Sequence, residues 1–174
     1  ITALLFLLVF WQFGFNLATV GYWALLSWLL SLSLIDLDTM TLPNSLTRSA
    51  LIAGLLFQTI LGWQTSGWQG IVSHLMFGIS GAVLGIWLLW SIRILGTIVF
   101  QQPAMGDADE KLMAAIGAWL GWKYVLLTGL LACFAGVFVG VGAIVLGFVD
   151  RKQPIPFGPF LSLGAVLTIF LGQA

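Results

Sequence analysis

Apolar stretches of about 18 residues or more recur along this chain, separated only by short polar or glycine- and proline-bearing turns. That one feature restricts the fold to an all-α polytopic membrane protein. Backbone groups inside a bilayer must be satisfied within the chain, and helices do this locally. A membrane β-barrel would alternate apolar and polar residues, and these stretches do not alternate. Only 7% of the 174 residues are charged and 60% are hydrophobic, against about 25% charged in an ordinary soluble domain.

We read about six to seven membrane segments in a single membrane-embedded domain spanning residues 1–174, with no repeat, soluble domain or linker. The first runs from about Thr2 to Phe13 and the second from about Leu17 to Ile35. Leu42-Pro43-Asn44 then breaks the helix, because proline disfavours α geometry at the residue before it. The third runs from about Ser45 to Leu61, and Gly62–Trp68 is expected to be an uncharged loop with its tryptophans at headgroup level. The fourth extends from about Ile71 to Ile92, followed by a polar loop from about Phe100 to Asp107. A short fifth segment spans about Asp109 to Leu120, and a glycine-rich sixth spans about Tyr124 to Val149. Gly136 and Gly140 there have the small-xxx-small spacing of close helix packing, read as internal. The polar loop Asp150–Gln153 precedes a seventh segment starting at Pro154 or Pro156. The chain starts mid-helix without an initiating Met, the pattern expected of a piece of a longer or processed protein.

Charge orients this stack. With the amino end cytoplasmic, Arg48, Arg93, Lys111, Arg151 and Lys152 fall on the cytoplasmic side and only Lys123 falls outside, as the positive-inside rule requires. The acids Asp36, Asp38, Asp107, Asp109, Glu110 and Asp150 fall on that same side. Net charge is zero, and no basic tract is present to neutralise phosphates, so nucleic acid is not an expected partner. The single cysteine, Cys133, lies in an apolar run and reads as a packing residue.

Carboxylates near a bilayer are costly and usually functional. Asp36 closes one apolar run and Asp109 opens another. Two carboxylates sharing a site cannot both ionise freely, so such a pair holds one proton. The ionised member can take a proton from water while the protonated member polarises a carbonyl, which is aspartic-protease chemistry without metal, cofactor or covalent intermediate. The bland alternative is that the acids cap helix ends and favour the helix dipole. His74, the only histidine, lies towards the opposite membrane face and reads as a packing or interfacial residue. A Ser/His or Cys/His triad is therefore not available, and neither are nitrogen and sulfur ligands for zinc. A carboxylate-bound cation stays open at this level.

The residues around both acids resemble the bacterial type 4 prepilin peptidases, leader-cleaving aspartic proteases of the inner membrane. Those enzymes carry an aspartate upstream of a Leu-Pro-Asp/Asn turn, as Asp36 stands before Leu42-Pro43-Asn44. They carry a second aspartate in Gly-x-Gly-Asp-x-Lys-Leu, followed by Ala-Ala-x-Gly-Ala-Trp-Leu-Gly. Here the run is Gly106-Asp107-Ala108-Asp109-Glu110-Lys111-Leu112, then Ala114-Ala115-Ile116-Gly117-Ala118-Trp119-Leu120-Gly121. Pro154–Phe160 is similar to the last loop and helix of the family. The resemblance implies that Asp36 and Asp109 are the catalytic pair. It leaves Asp38, Asp107, Lys111, Pro43, Asn44 and Gly106 as supporting residues.

Ala108 replaces a family glycine, which is expected to reduce activity if that position needs positive φ. Asp107 offers a rival register for the second acid, but helical geometry would point residues 107 and 109 about 200° apart. Lys111 is expected either to anchor its helix end or to pair with a carboxylate. Many family members also carry an amino-terminal methyltransferase domain with Cys-x-x-Cys pairs; nothing like it is found in these 174 residues, so a peptidase lacking that domain is expected. The implied partners are prepilin or pseudopilin substrates and membrane lipids. The implied location is the bacterial inner membrane, with the site facing the cytoplasm. The rival class is a non-catalytic transporter or pilus-assembly scaffold, but transporter acids more often lie near the bilayer midplane. A presenilin-like enzyme cutting other membrane helices is a third reading.

Overall fold

A computed structural model describes residues 2–101, 106–146 and 156–172, without the side chains of 99–100 and 143–144. Among them are six helices and no strand: α1 (Thr2–Phe13), α2 (Leu17–Thr39), α3 (Asn44–Phe100), α4 (Asp107–Leu120), α5 (Trp122–Val145) and α6 (Gly158–Leu171). Three stretches are long and apolar enough to cross a membrane, Leu17–Thr39, Asn44–Ile98 and Trp122–Gly142.

The 57 residues of α3 are not one rod. Ser66 (φ −146°, ψ 23°) and Gly67 (φ 58°, ψ −129°) leave helical geometry. Gly62 packs against Gly70, and Gln58 reaches His74, which sixteen residues of straight helix would hold about 24 Å apart. The chain therefore reverses, giving two antiparallel limbs, residues 44–65 and 68–100. This corrects the expected loop over Gly62–Trp68: only two residues leave the helix, and Gly67 supplies the positive φ that a side chain would resist.

Other boundaries also shift. The second segment does not end at Ile35; α2 continues a further turn to Thr39, so Asp36 and Asp38 are helical. The second limb of α3 passes Ile92 and runs to Phe100. α4 begins at Asp107, two residues earlier than expected. Pro156 precedes the last helix rather than starting it; α6 begins at Gly158, with Pro159 in its first turn, where a missing N–H costs little. Pro154 and the polar loop Asp150–Gln153 lie outside the described residues, as does the middle of the loop expected between Phe100 and Asp107.

The core forms around α4. Every residue from Leu112 to Leu120 is buried, as a helix apolar on all sides requires. Both limbs of α3 clasp it. Gly81 meets the backbone of Gly117, and a β-carbon at Gly85 would lie 2.8 Å from the Met113 carbonyl oxygen. Such small-residue contact lets helix axes approach closely. On the first limb, the Trp119 indole donates to the Ala50 carbonyl (2.8 Å) and stacks on Phe57 with ring centroids 5.0 Å apart.

At about 21 Å, α4 is shorter than the roughly 30 Å hydrocarbon core. Its last carbonyls therefore need partners inside the protein. Buried Gln58 donates to the Trp119 carbonyl (2.8 Å), and its own side-chain oxygen faces Nδ1 of His74 at 3.1 Å. His74 thus lies at the end of the bundle away from the acids, as expected, but serves a polar clamp rather than packing alone. α6 crosses α2 and α5. Ser162 donates to the Leu29 carbonyl at 3.4 Å, and a β-carbon at Gly164 would lie 2.6 Å from the Thr128 carbonyl oxygen. Gly136 of α5 faces the rings of Phe157 and Phe160, so that glycine packs internally.

Candidate active site

Four helix ends meet at one end of this bundle: the carboxyl end of α2 and the amino ends of α3, α4 and α6. Asp36 lies in the last turn of α2. Its carbonyl accepts the N–H of Met40 (2.9 Å), whose left-handed φ of 50° stops the helix. Leu42 is buried, and Pro43, in extended geometry, leads into α3. The Leu-Pro-Asn turn thus links the acid-bearing end of α2 to the start of α3.

Asp36 and Asp109 are only 5% and 7% exposed. Carboxylates so enclosed need hydrogen-bond donors. The Gly158 N–H, at the start of α6, donates to Oδ2 of Asp36 at 3.0 Å. Asp109 stands three residues into α4 from its cap residue, Gly106, whose backbone hydrogen-bonds its carboxyl group. An acid reaching back to the cap N–H forms half of a capping box. Asp36 is close enough for its charge to act on the Asp109 carboxyl group. Among the described residues, no lysine, arginine or histidine is within ion-pair distance of either acid. Two buried carboxyl groups therefore lie within electrostatic reach of one another, with no neutralising cation among the described residues.

The remaining predicted residues fall around this centre rather than in it. Asp107 is exposed and pairs with Arg93, which also contacts Glu110 at 2.9 Å. Asp107 and Asp109 thus leave α4 in different directions, as helical geometry requires. Asp38 is exposed, apart from buried Asp36. Lys111 pairs with no carboxylate among the described residues, nor does it stand free: its Nζ donates to Oδ1 of Asn44 at 2.6 Å, tying α4 to the start of α3. Ala108 lies within α4, and positive φ among the described non-glycine residues is confined to Met40 and Gln101. The expected conformational penalty at Ala108 is therefore absent. No group of three or more His, Cys, Asp or Glu side chains among the described residues is arranged to hold a metal ion.

Sequence reasoning missed two contributors. Arg93 was a marker of topology only, although a lone cation ending an apolar run is a signal that a nearby acid needs it. Gly158 was noticed only as part of a similar tail, and a backbone N–H leaves no mark in a sequence.

The type IV leader peptidase family model matches residues 23–141, a span containing both acids. Curated proteins named prepilin leader peptidase/N-methyltransferase are also similar. One from Aeromonas hydrophila is 37% identical over 151 residues, 86% of this chain and 49% of the relative. One from Burkholderia pseudomallei (strain K96243) is 38% identical over 160 residues, 92% of this chain and 49% of the relative. One from Pseudomonas aeruginosa PAO1 is 37% identical over 173 residues, 99% and 56% respectively. The chain spans about half the length of the curated relatives it matches. No solved structure matches it.

Proposed function

The chain belongs to the type IV leader peptidase family, and from that membership we propose that it is an intramembrane aspartic endopeptidase. Its substrates are type 4 prepilins or pseudopilins, cut after a glycine that ends a short basic leader. The bundle sits in the bacterial inner membrane with the acid-bearing end towards the cytoplasm. The observation that supports this reading is the burial of Asp36 and Asp109, from separate helices and within electrostatic reach of one another, with no cation paired to either among the described residues.

In this mechanism the pair holds one proton and one water. The ionised carboxylate takes a proton from the water, whose oxygen attacks the carbonyl carbon of the scissile bond. The protonated carboxyl group donates a hydrogen bond to the carbonyl oxygen as negative charge develops there. Collapse of the tetrahedral intermediate breaks the C–N bond, and the proton taken from water passes to the departing amine. The substrate backbone has to unwind at the cut, because a helical hydrogen bond occupies the carbonyl the water must reach.

Cleavage of a purified prepilin by protein in detergent or nanodiscs tests the proposal. Asp36→Asn and Asp109→Asn should each abolish leader removal while the protein still inserts and melts cooperatively. Full cleavage by either variant would refute the pair. Because one proton must be present and the second absent, kcat should follow a bell-shaped pH profile.

A further inference from the structure

The first turn of α6 carries one backbone donor with nowhere else to go. Helix starts leave their early N–H groups without intrahelical acceptors. Pro159 has no N–H to offer, while the N–H groups of Phe160 and Leu161 both reach the Phe157 carbonyl, at 3.0 and 3.1 Å. The Gly158 N–H remains, buried, and it points at Oδ2 of Asp36 at 3.0 Å. A β-carbon at position 158 would lie 2.6 Å from that same oxygen and 3.1 Å from the carboxyl carbon. A side chain there would occupy the space the carboxyl group fills.

We propose that Gly158 is a positioning residue for the peptidase reaction: its N–H fixes the Asp36 carboxylate in place, and its missing side chain is what lets that carboxylate reach the donor. The inference rests on the aspartic peptidase reading above. Donation by N–H to an ionised carboxylate is a charge-assisted bond and favours the charged form. The contact thus holds the group that takes water's proton both in position and in the correct protonation state. It also assigns the two oxygens of Asp36. Oδ2 is engaged with α6, leaving Oδ1 for the water.

A simpler role competes with this one, namely that Asp36 serves only to satisfy a buried helix end. The two roles differ in what they do to catalysis. Replacing residue 158 by glycolic acid through cell-free translation turns the amide into an ester, deleting the N–H without adding a β-carbon. With a prepilin peptide, kcat of this variant should fall by roughly tenfold to a hundredfold, with KM little changed. The acid limb of its pH profile should move to higher pH, because the ionised form has lost a donor. Gly158→Ala should lose kcat at least as far. If the alanine protein does not fold, as read by melting in detergent, the ester variant decides alone. An ester variant with wild-type kcat and an unmoved acid limb overturns the positioning role, even if it melts at a lower temperature. Asp36→Asn and Asp109→Asn are assayed in parallel. If they retain cleavage, the peptidase reading itself fails; if they are dead while the ester variant is unaffected, only the role of Gly158 fails.

Discussion

Each acidic residue at the head of α4 has its own surroundings, and these separate the roles of residues two positions apart. Asp107 is solvent-facing and shares Arg93 with Glu110. Exposed pairs of this kind contribute only about 0–1 kcal/mol. Asp107→Asn should therefore leave prepilin cleavage near wild type and move the melting temperature little, in contrast to the loss expected at Asp109. Ala108 supports a second prediction. It sits in helical geometry without positive φ. Restoring the family glycine, Ala108→Gly, should bring no gain in kcat and should cost about 0.5–1 kcal/mol in chemical denaturation.

At this scale the sequence revealed the acids because a carboxylate in an apolar run has few harmless explanations. It could not reveal their donors. Gly106 and Gly158 act through backbone N–H groups that every residue except proline carries. The partner of Lys111 was equally hidden, since Asn44 is 67 positions away in the chain.

Among the elements, α3 and α4 determine where Asp109 sits. The contact between Gly81 and Gly117 leaves no room for a methyl group, since the β-carbon would collide with backbone rather than with a movable side chain. Gly81→Ala should destabilise the protein by about 1–3 kcal/mol and lower cleavage by shifting α4. Gly142→Ala in α5 has nothing among the described residues within 4 Å of the added carbon; it should leave cleavage unchanged and, by the same helix-propensity argument, gain about 0.5–1 kcal/mol in stability. Helix identity was legible from apolar run length alone, and α1 matches its expected span, Thr2–Phe13. Helix ends were less legible. The reversal in α3 looked like a seven-residue loop because Gly62–Trp68 is rich in glycine and polar uncharged residues. Contact between Gly62 and Gly70 instead keeps the flanking residues helical. Asp36 and Asp38 looked like the end of α2 because charge marks an interface; the helix continues because nothing breaks it before Met40 and Pro43.

For the molecule as a whole, the proposed orientation places the acid-bearing end in the cytoplasm and the reversal at Ser66-Gly67 on the other side. The exposed sites Asp38 and Trp68 report on the two ends. In a Cys133→Ala background, cysteine at position 68 should react with an impermeant maleimide added to intact spheroplasts. Cysteine at position 38 should react only after permeabilisation. The reverse pattern would invert the assignment. The distribution of lysine and arginine is the basis for proposing this arrangement, because charge crosses a bilayer only at high cost.

The clamp formed by Gln58 on the Trp119 carbonyl has a mechanical corollary. It bolts the blunt tip of α4 deep among its neighbours, so the helix cannot piston outwards to meet an incoming chain without tearing that bolt away. On the proposed reading, the scissors stay still and the ribbon does the bending. Leaders whose cleavage region is stiffened by good helix formers should then be clipped slowly, and those loosened by glycine quickly.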